Sequence, residues 1–144
     1  MFTKENVFEK RAEFENACKR AQACKEEFHK LLKAETKSEF MQVIFDNFYW
    51  VYEHVDKFGL EYDFVDNFYE GFARVKKGGK YGFIDTSFKE FALEYDYVGD
   101  FYKGFARVKK GKKWGFVNTK FEEVCGVRKG GKWGKLYPDG REVF

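Results

Sequence analysis

Proline occurs once in this chain, histidine and methionine twice each, and cysteine three times. Each scarcity excludes something. A single proline and few long polar runs argue against a disordered segment. His29 and His54 fall on expected helices with no Cys, Asp or Glu at a metal-ligand or triad spacing, so they read as exposed or partly packed helix residues. Cys18, Cys24 and Cys125 are odd in number and fit no metal-binding pattern. Cys18 and Cys24 lie six apart on an expected helix and so point to different sides. Buried thiols in a reducing cytoplasm fit this usage better than a disulfide framework. No apolar run approaches the roughly 18 residues that a membrane span needs. The start, Met1-Phe2-Thr3-Lys4-Glu5-Asn6, has acid and amide where a secretory signal carries basic and then apolar residues. Phosphate-loop and dinucleotide glycine patterns are missing. The acidic pairs Glu26-Glu27 and Glu122-Glu123 are adjacent and diverge on a helix or strand, and nothing favours a convergent carboxylate pair. The expectation is a cytoplasmic, non-catalytic protein without cofactor, metal or membrane contact.

Aromatics are what the chain has in quantity: 19 Phe, 9 Tyr and 3 Trp in 144 residues. Rings favour strands and large contact areas, and the length suffices for a real core. The net charge of +3 is unevenly placed. Residues 1–57 hold 10 basic against 11 acidic side chains, whereas residues 58–144 hold 17 against 13.

The N-terminal part reads as helical. Val7, Phe14, Ala17, Ala21, Cys24, Phe28 and Leu31 recur at helical intervals, predicting one helix over residues 4–34 with Thr3 as its N-cap. Thr36-Lys37-Ser38-Glu39 has the form of a capping box. It opens a second helix with Phe40, Ile44, Phe48, Val51 and Val55 as its apolar stripe, and Gly59 is placed to end it. Two such helices make a helical hairpin, assigned to residues 1–57. Its first reading is a packing cap for the C-terminal part of the chain, its second a partner-binding helical face.

That C-terminal part is a repeat. The stretch Phe68-Tyr69-Glu70-Gly71-Phe72-Ala73-Arg74-Val75-Lys76-Lys77-Gly78-Gly79-Lys80-Tyr81-Gly82-Phe83-Ile84-Asp85 returns 33 residues later, from Phe101 to Asn118. A shortened copy, Val127 to Gly134, comes only 19 residues after the second. A fixed period of this kind signals a stacked array. Within each copy a two-residue glycine turn between alternating residues predicts a β-hairpin. Counting outward from Gly78-Gly79 pairs Lys77 with Lys80, Lys76 with Tyr81, Val75 with Gly82, Arg74 with Phe83 and Ala73 with Ile84. One face then carries Ala73, Val75 and Ile84, and the other alternates cation with ring. The second copy gives Arg107–Phe116 and Lys109–Trp114, the third Arg128–Trp133. Gly82, Gly115 and Gly134 stand opposite valines, where a side chain would crowd the next layer. Near the end, Pro138-Asp139-Gly140 reads as a turn between two short strands.

These residues resemble the WG-repeat family. Trp114-Gly115-Phe116-Val117 and Trp133-Gly134 carry the dipeptide, and Tyr81-Gly82-Phe83-Ile84 has tyrosine for tryptophan. The preceding Gly-Phe-Ala-Arg-Val and the Tyr-Asp-x-Val lead-in also match, over residues 58–144. Two departures stand out: the third copy is 14 residues short, and Lys135 replaces an apolar residue after Gly134. Joined to the helices read from apolar spacing, the resemblance gives the expectation of an α+β protein, with an N-terminal helical hairpin packed on an antiparallel β-hairpin array of two full copies and one truncated copy. It further implies an interaction role, as an inhibitor or adaptor acting on a larger protein or nucleoprotein, of the kind carried by phages and mobile elements.

The candidate site is a basic ladder with rings between its rungs: Arg74, Lys76, Lys77, Lys80 and Tyr81; Arg107, Lys109, Lys110, Lys112, Lys113 and Trp114; Arg128, Lys129, Lys132 and Trp133. A structural reading competes first, because edge lysines block aggregation and cations over rings are packing contacts. Contact with an acidic protein surface comes next, and nucleic acid third, given the modest net charge. The reading adopted is a non-catalytic protein-binding module that uses this ladder, with a nucleic-acid binder as runner-up and a composite enzyme site as a further alternative.

Overall fold

The structure, a computed structural model, describes residues 1–136 and 140–143, with side chains described for all of these except 125–129 and 133. It comprises two compact units, Met1–Phe68 and Tyr69–Phe144. Helices precede antiparallel hairpins, so the fold class is α+β as expected.

The first unit holds four helices where the sequence pattern predicted two: α1 (Arg11–Arg20), α2 (Lys25–Lys33), α3 (Lys37–Asp46) and α4 (Phe48–His54). The expected helix over 4–34 breaks after Arg20, where Gln22 adopts a left-handed φ of 62°. Ala23 N–H bonds to the Cys18 carbonyl and Gln22 N–H to the Lys19 carbonyl, which closes a Schellman motif without a glycine. Thr3 does cap a turn, exchanging bonds with Asn6 at 2.7 and 3.0 Å, but α1 begins later.

The second expected helix breaks at Asn47, whose side-chain amide donates to the Val43 carbonyl and to Glu27, each at 2.9 Å. Asn67 then accepts the Tyr49 N–H at 2.8 Å, serving a free amide at the start of α4. The capping box holds: Thr36 Oγ1 accepts the Glu39 N–H at 3.1 Å. Gly59 does not end α4, which stops at His54; with a φ of 76° it shapes the turn beyond.

Apolar positions of the helices meet in one core, in which Val7, Phe14, Phe40, Ile44 and Phe48 are fully buried. The Phe58 ring joins it, packing against Phe14 and Phe48. Arg11 ties α1 to the end of α2 by donating to the Leu31, Leu32 and Ala34 carbonyls, where the helix dipole favours a cation. Cys18 is buried, and burial pushes its thiol up to about 12. Cys24 is exposed, contrary to the expectation of buried thiols. Among the described residues, no helix is long and apolar enough to cross a membrane.

The chain leaves this unit along β1 (Phe64–Tyr69) and enters the hairpins: β2 (Phe72–Lys77), β3 (Lys80–Asp85), β4 (Glu90–Tyr95), β5 (Tyr97–Val98), β6 (Phe105–Lys110), β7 (Lys113–Asn118), β8 (Glu123–Lys129), β9 (Lys132–Leu136) and β10 (Glu142–Val143). β2, β3 and β4 follow one another in one sheet, and β5 to β10 follow in order in a second. The register counted from the glycine turns is the one observed, from Lys77–Lys80 to Ala73–Ile84 and from Lys110–Lys113 to Ala106–Val117. Within each copy the connection after the second strand is also repeated. Asp85 Oδ1 accepts the Ser87 and Lys89 N–H groups, and Asn118 Oδ1 those of Lys120 and Glu122. The turn expected at Pro138-Asp139-Gly140 lies partly outside the described residues.

The face of alternating cation and ring is covered in part by the neighbouring repeat. Phe83, on the side assigned to alternating cation and ring, is fully buried, as are Ala73, Val75 and Ile84 on the other side. The residues that cover Phe83 come from the second copy: Phe101 at 4.9 Å and Phe121 at 5.7 Å between ring centroids. Phe121 also stacks on Phe91 at 4.6 Å. Both faces of β3 are therefore core.

Candidate interaction site

The two full hairpins each carry the sequence Arg-Val-Lys-Lys on the first strand and a ring on the second, and pairing sets these side chains beside one another. Arg107 lies over the Trp114 ring at 4.2 Å, and Lys109 reaches the same ring at 5.3 Å. In the first copy Lys76 lies 5.3 Å from the Tyr81 ring centroid. Tyr97, which sequence reasoning did not single out, bridges the two, at 6.4 Å from Tyr81 and 5.7 Å from Trp114. Tyr97 and Trp114 are 41% and 47% exposed, so a ring ladder flanked by cations faces solvent. Cation–π contact and exposure coexist here: the ladder is packed internally and still presents its outer edges.

The remaining cations divide. Arg74 is engaged, with Nε 2.9 Å from Asp100 Oδ1 and Nη1 donating to the Val98 carbonyl at 3.2 Å. Lys80 pairs with Asp96 at 2.8 Å, and Lys110 lies 3.9 Å from Glu94. Asp96 also accepts the Gly111 N–H at 2.6 Å, so one carboxylate joins the tips of successive hairpins. The Lys80 ammonium first, then that N–H, hold its carboxyl below the usual carboxylate value. Lys77, Lys112, Lys113 and Lys132 are exposed at or beside the turns. The side chains of Arg128, Lys129 and Trp133 lie outside the described residues. The ladder is thus a band in which acids alternate with bases.

Asp96, Asp100 and Tyr97 belong to the lead-in Tyr-Asp-Tyr-Val-Gly-Asp, whose recurrence was legible but whose partners in other strands were not. Lys135, noted only as a departure, lies over the Phe105 ring at 4.3 Å and Phe116 at 5.7 Å. The cation thus stands on the rings of the preceding copy. Tyr95 is buried and donates to Glu123 at 2.9 Å; burial foremost, then this bond, raises its phenol above the ordinary value. Among the described residues no group of His, Cys, Asp and Glu is arranged to hold a metal ion.

Gly82 explains the dipeptide. A Cβ there would fall 2.6 Å from Leu93 Cα and 2.8 Å from the Phe91 carbonyl oxygen, so β4 approaches too closely for any side chain. The equivalent contact at Gly115 is 3.3 Å to the Val124 carbonyl oxygen. The ring residue before each glycine is set by the same pairing on the opposite side of the strand.

The family model of the WG containing repeat matches residues 59–81 and 81–114. No curated protein and no solved structure matches the chain. The matched segments carry both lead-ins, β2 to β6 and the first two residues of β7, together with the close approach at Gly82. The third copy lies beyond them. The stretch 59–114 is thus similar to two successive WG containing repeats.

Proposed function

We propose that this β-hairpin repeat module is a non-catalytic protein-interaction module that binds an acidic protein surface, acting as an adaptor or inhibitor on a larger protein. The observation that supports it is the exposed ring ladder of Tyr97 and Trp114 with Arg107 and Lys109 laid against it. Trp, Tyr and Arg are the side chains that dominate binding energy at protein interfaces. Their rotamers are already restrained by ring contacts, which lowers the ordering cost of association. Glu94, Asp96 and Asp100 stand among the lysines. These alternating signs suit the mixed rim of a protein partner, whose acids can face the exposed lysines, better than a uniformly anionic phosphate backbone.

The test is affinity capture from a lysate of the source cells, with and without nuclease, using the wild-type chain and the double variant Arg107→Glu, Trp114→Ala. A specific protein that survives nuclease and is lost with the variant supports the reading. Material that disappears on nuclease treatment transfers the ladder to nucleic acid.

A further inference from the structure

The two unforeseen helix breaks of the first unit border one cavity. Its volume is about 170 Å³, and all four helices contribute to its wall. Phe14, Cys18, Leu31, Ile44 and Val51 give it a buried apolar lining. The first break supplies Ala23 and Cys24, and the second supplies Asn47. Cys24 is exposed, so the cavity opens to solvent beside it. Besides Asn47, the wall holds one further polar side chain, Glu27, whose two oxygens accept from Lys30 and from Asn47.

Asn47 gives this apolar space a chemistry. It stands just before α4, where an asparagine oxygen ordinarily accepts an N–H of the first helical turn. Its side chain accepts none there. Asn67 takes that part, accepting the Tyr49 N–H at 2.8 Å. The Asn47 amide nitrogen instead donates twice, to the Val43 carbonyl and to Glu27 Oε2, each at 2.9 Å. Those two acceptors fix which end of the amide is nitrogen. Among the described residues no donor is bonded to the Asn47 Oδ1. The wall thus carries a hydrogen-bond acceptor, held in place by its own nitrogen, with capacity to spare.

We infer that this cavity binds a small one-ring aromatic molecule with a single hydrogen-bond donor, of the phenol class, its O–H donated to Asn47 Oδ1. Size sets the first limit. An apolar cavity of roughly 150 Å³ stays dry and takes up a guest the size of benzene, so the volume here admits one ring. Such a ring restores the dispersion contacts that the lining forgoes while the space is empty. The donor sets the second limit. A guest without one would cover the Asn47 oxygen and leave it unsatisfied, whereas a hydroxyl matches it. Binding of this kind is a property of the helical unit and goes beyond the interaction function proposed for the hairpins.

The test titrates phenol, and toluene as its isostere without a donor, into the isotope-labelled full chain and follows amide signals by NMR. The expected result is saturable shifts on phenol addition, confined to amides of the cavity wall, among them Cys24, Leu31 and the Asn47 side chain. Ala23→Phe and Val43→Phe each place a ring in the cavity from a different element and should abolish those shifts while the remaining signals stay in place. Either variant that keeps the fold serves. Asn47→Leu should lower the phenol-to-toluene affinity ratio about threefold or more, the worth of one neutral hydrogen bond. A ratio taken within one protein is insensitive to a general loss of stability. Phenol binding that does not saturate, or shifts that persist in a folded filling variant, overturns the inference. A ratio unchanged by Asn47→Leu overturns it as well, by removing the oxygen from recognition. So do shifts of the same amides with protein concentration alone, which would assign the cavity to a side chain of a second copy.

Discussion

The Asp96 carboxylate lies 2.8 Å from the Lys80 ammonium, and its other oxygen accepts the Gly111 N–H at 2.6 Å. Two hairpin tips from successive copies therefore share one acid. Its folded-state pKa is depressed, so the stabilisation is present above the unfolded carboxylate value of about 4 and fades as pH falls through the lower folded value. Asp96→Asn should lower the urea midpoint at pH 7, and the gap from wild type should narrow as the solution is taken below about pH 4. A gap that stays constant across that range would remove the charge from the clasp.

Gly82 and Gly115 occupy the same place in successive copies but differ in clearance. Gly82→Ala drives a methyl into the backbone of β4, at 2.6 Å from Leu93 Cα, and should cost about 1–3 kcal/mol or more. Gly115→Ala meets a carbonyl oxygen at 3.3 Å and should cost less. Denaturant unfolding of the two variants ranks them, and equal losses would contradict the difference in approach.

Gln22 holds a left-handed conformation at the end of α1, where glycine is the residue without a steric penalty. Gln22→Gly should stabilise the helical unit by roughly 0.5–1 kcal/mol, while Gln22→Ala should be close to neutral. Thermal unfolding distinguishes the pair. A lower midpoint for Gln22→Gly would show that the Schellman turn does not limit stability.

The hairpins were legible because their determinants are local. A glycine pair fixes the turn, the turn fixes the register, and the period of two assigns the faces down to Val75 opposite Gly82. The helix breaks were not, since Gln22 lacks the composition of a stop signal and Asn47, a residue that can end or cap a helix, sits inside an unbroken apolar stripe. Gln22 ends α1 through backbone bonds to Cys18 and Lys19, and Asn47 interrupts the second run through bonds to Val43 and Glu27. The ring ladder was half-read for a related reason. Lys109 beside Trp114 comes from strand pairing, but Tyr97 between Tyr81 and Trp114 depends on how one copy lies against the next. The same dependence buries Phe83 and leaves Trp114 half in solvent, although their positions within a copy gave no reason to treat them differently.

Within this one chain the repeats already form a small record of what the position can bear. The ring varies, Tyr81 in the first copy and Trp in the next two, while Gly82, Gly115 and Gly134 do not. The close approach at Gly82 accounts for that asymmetry in the first copy, and the 3.3 Å contact at Gly115 points the same way more weakly. As duplicated copies diverge, the ring is free to be retuned toward new surfaces, but at Gly82 the residue after it cannot acquire a side chain without displacing β4. New binding properties can therefore arise by drift at one letter of the dipeptide, with the other holding the architecture still.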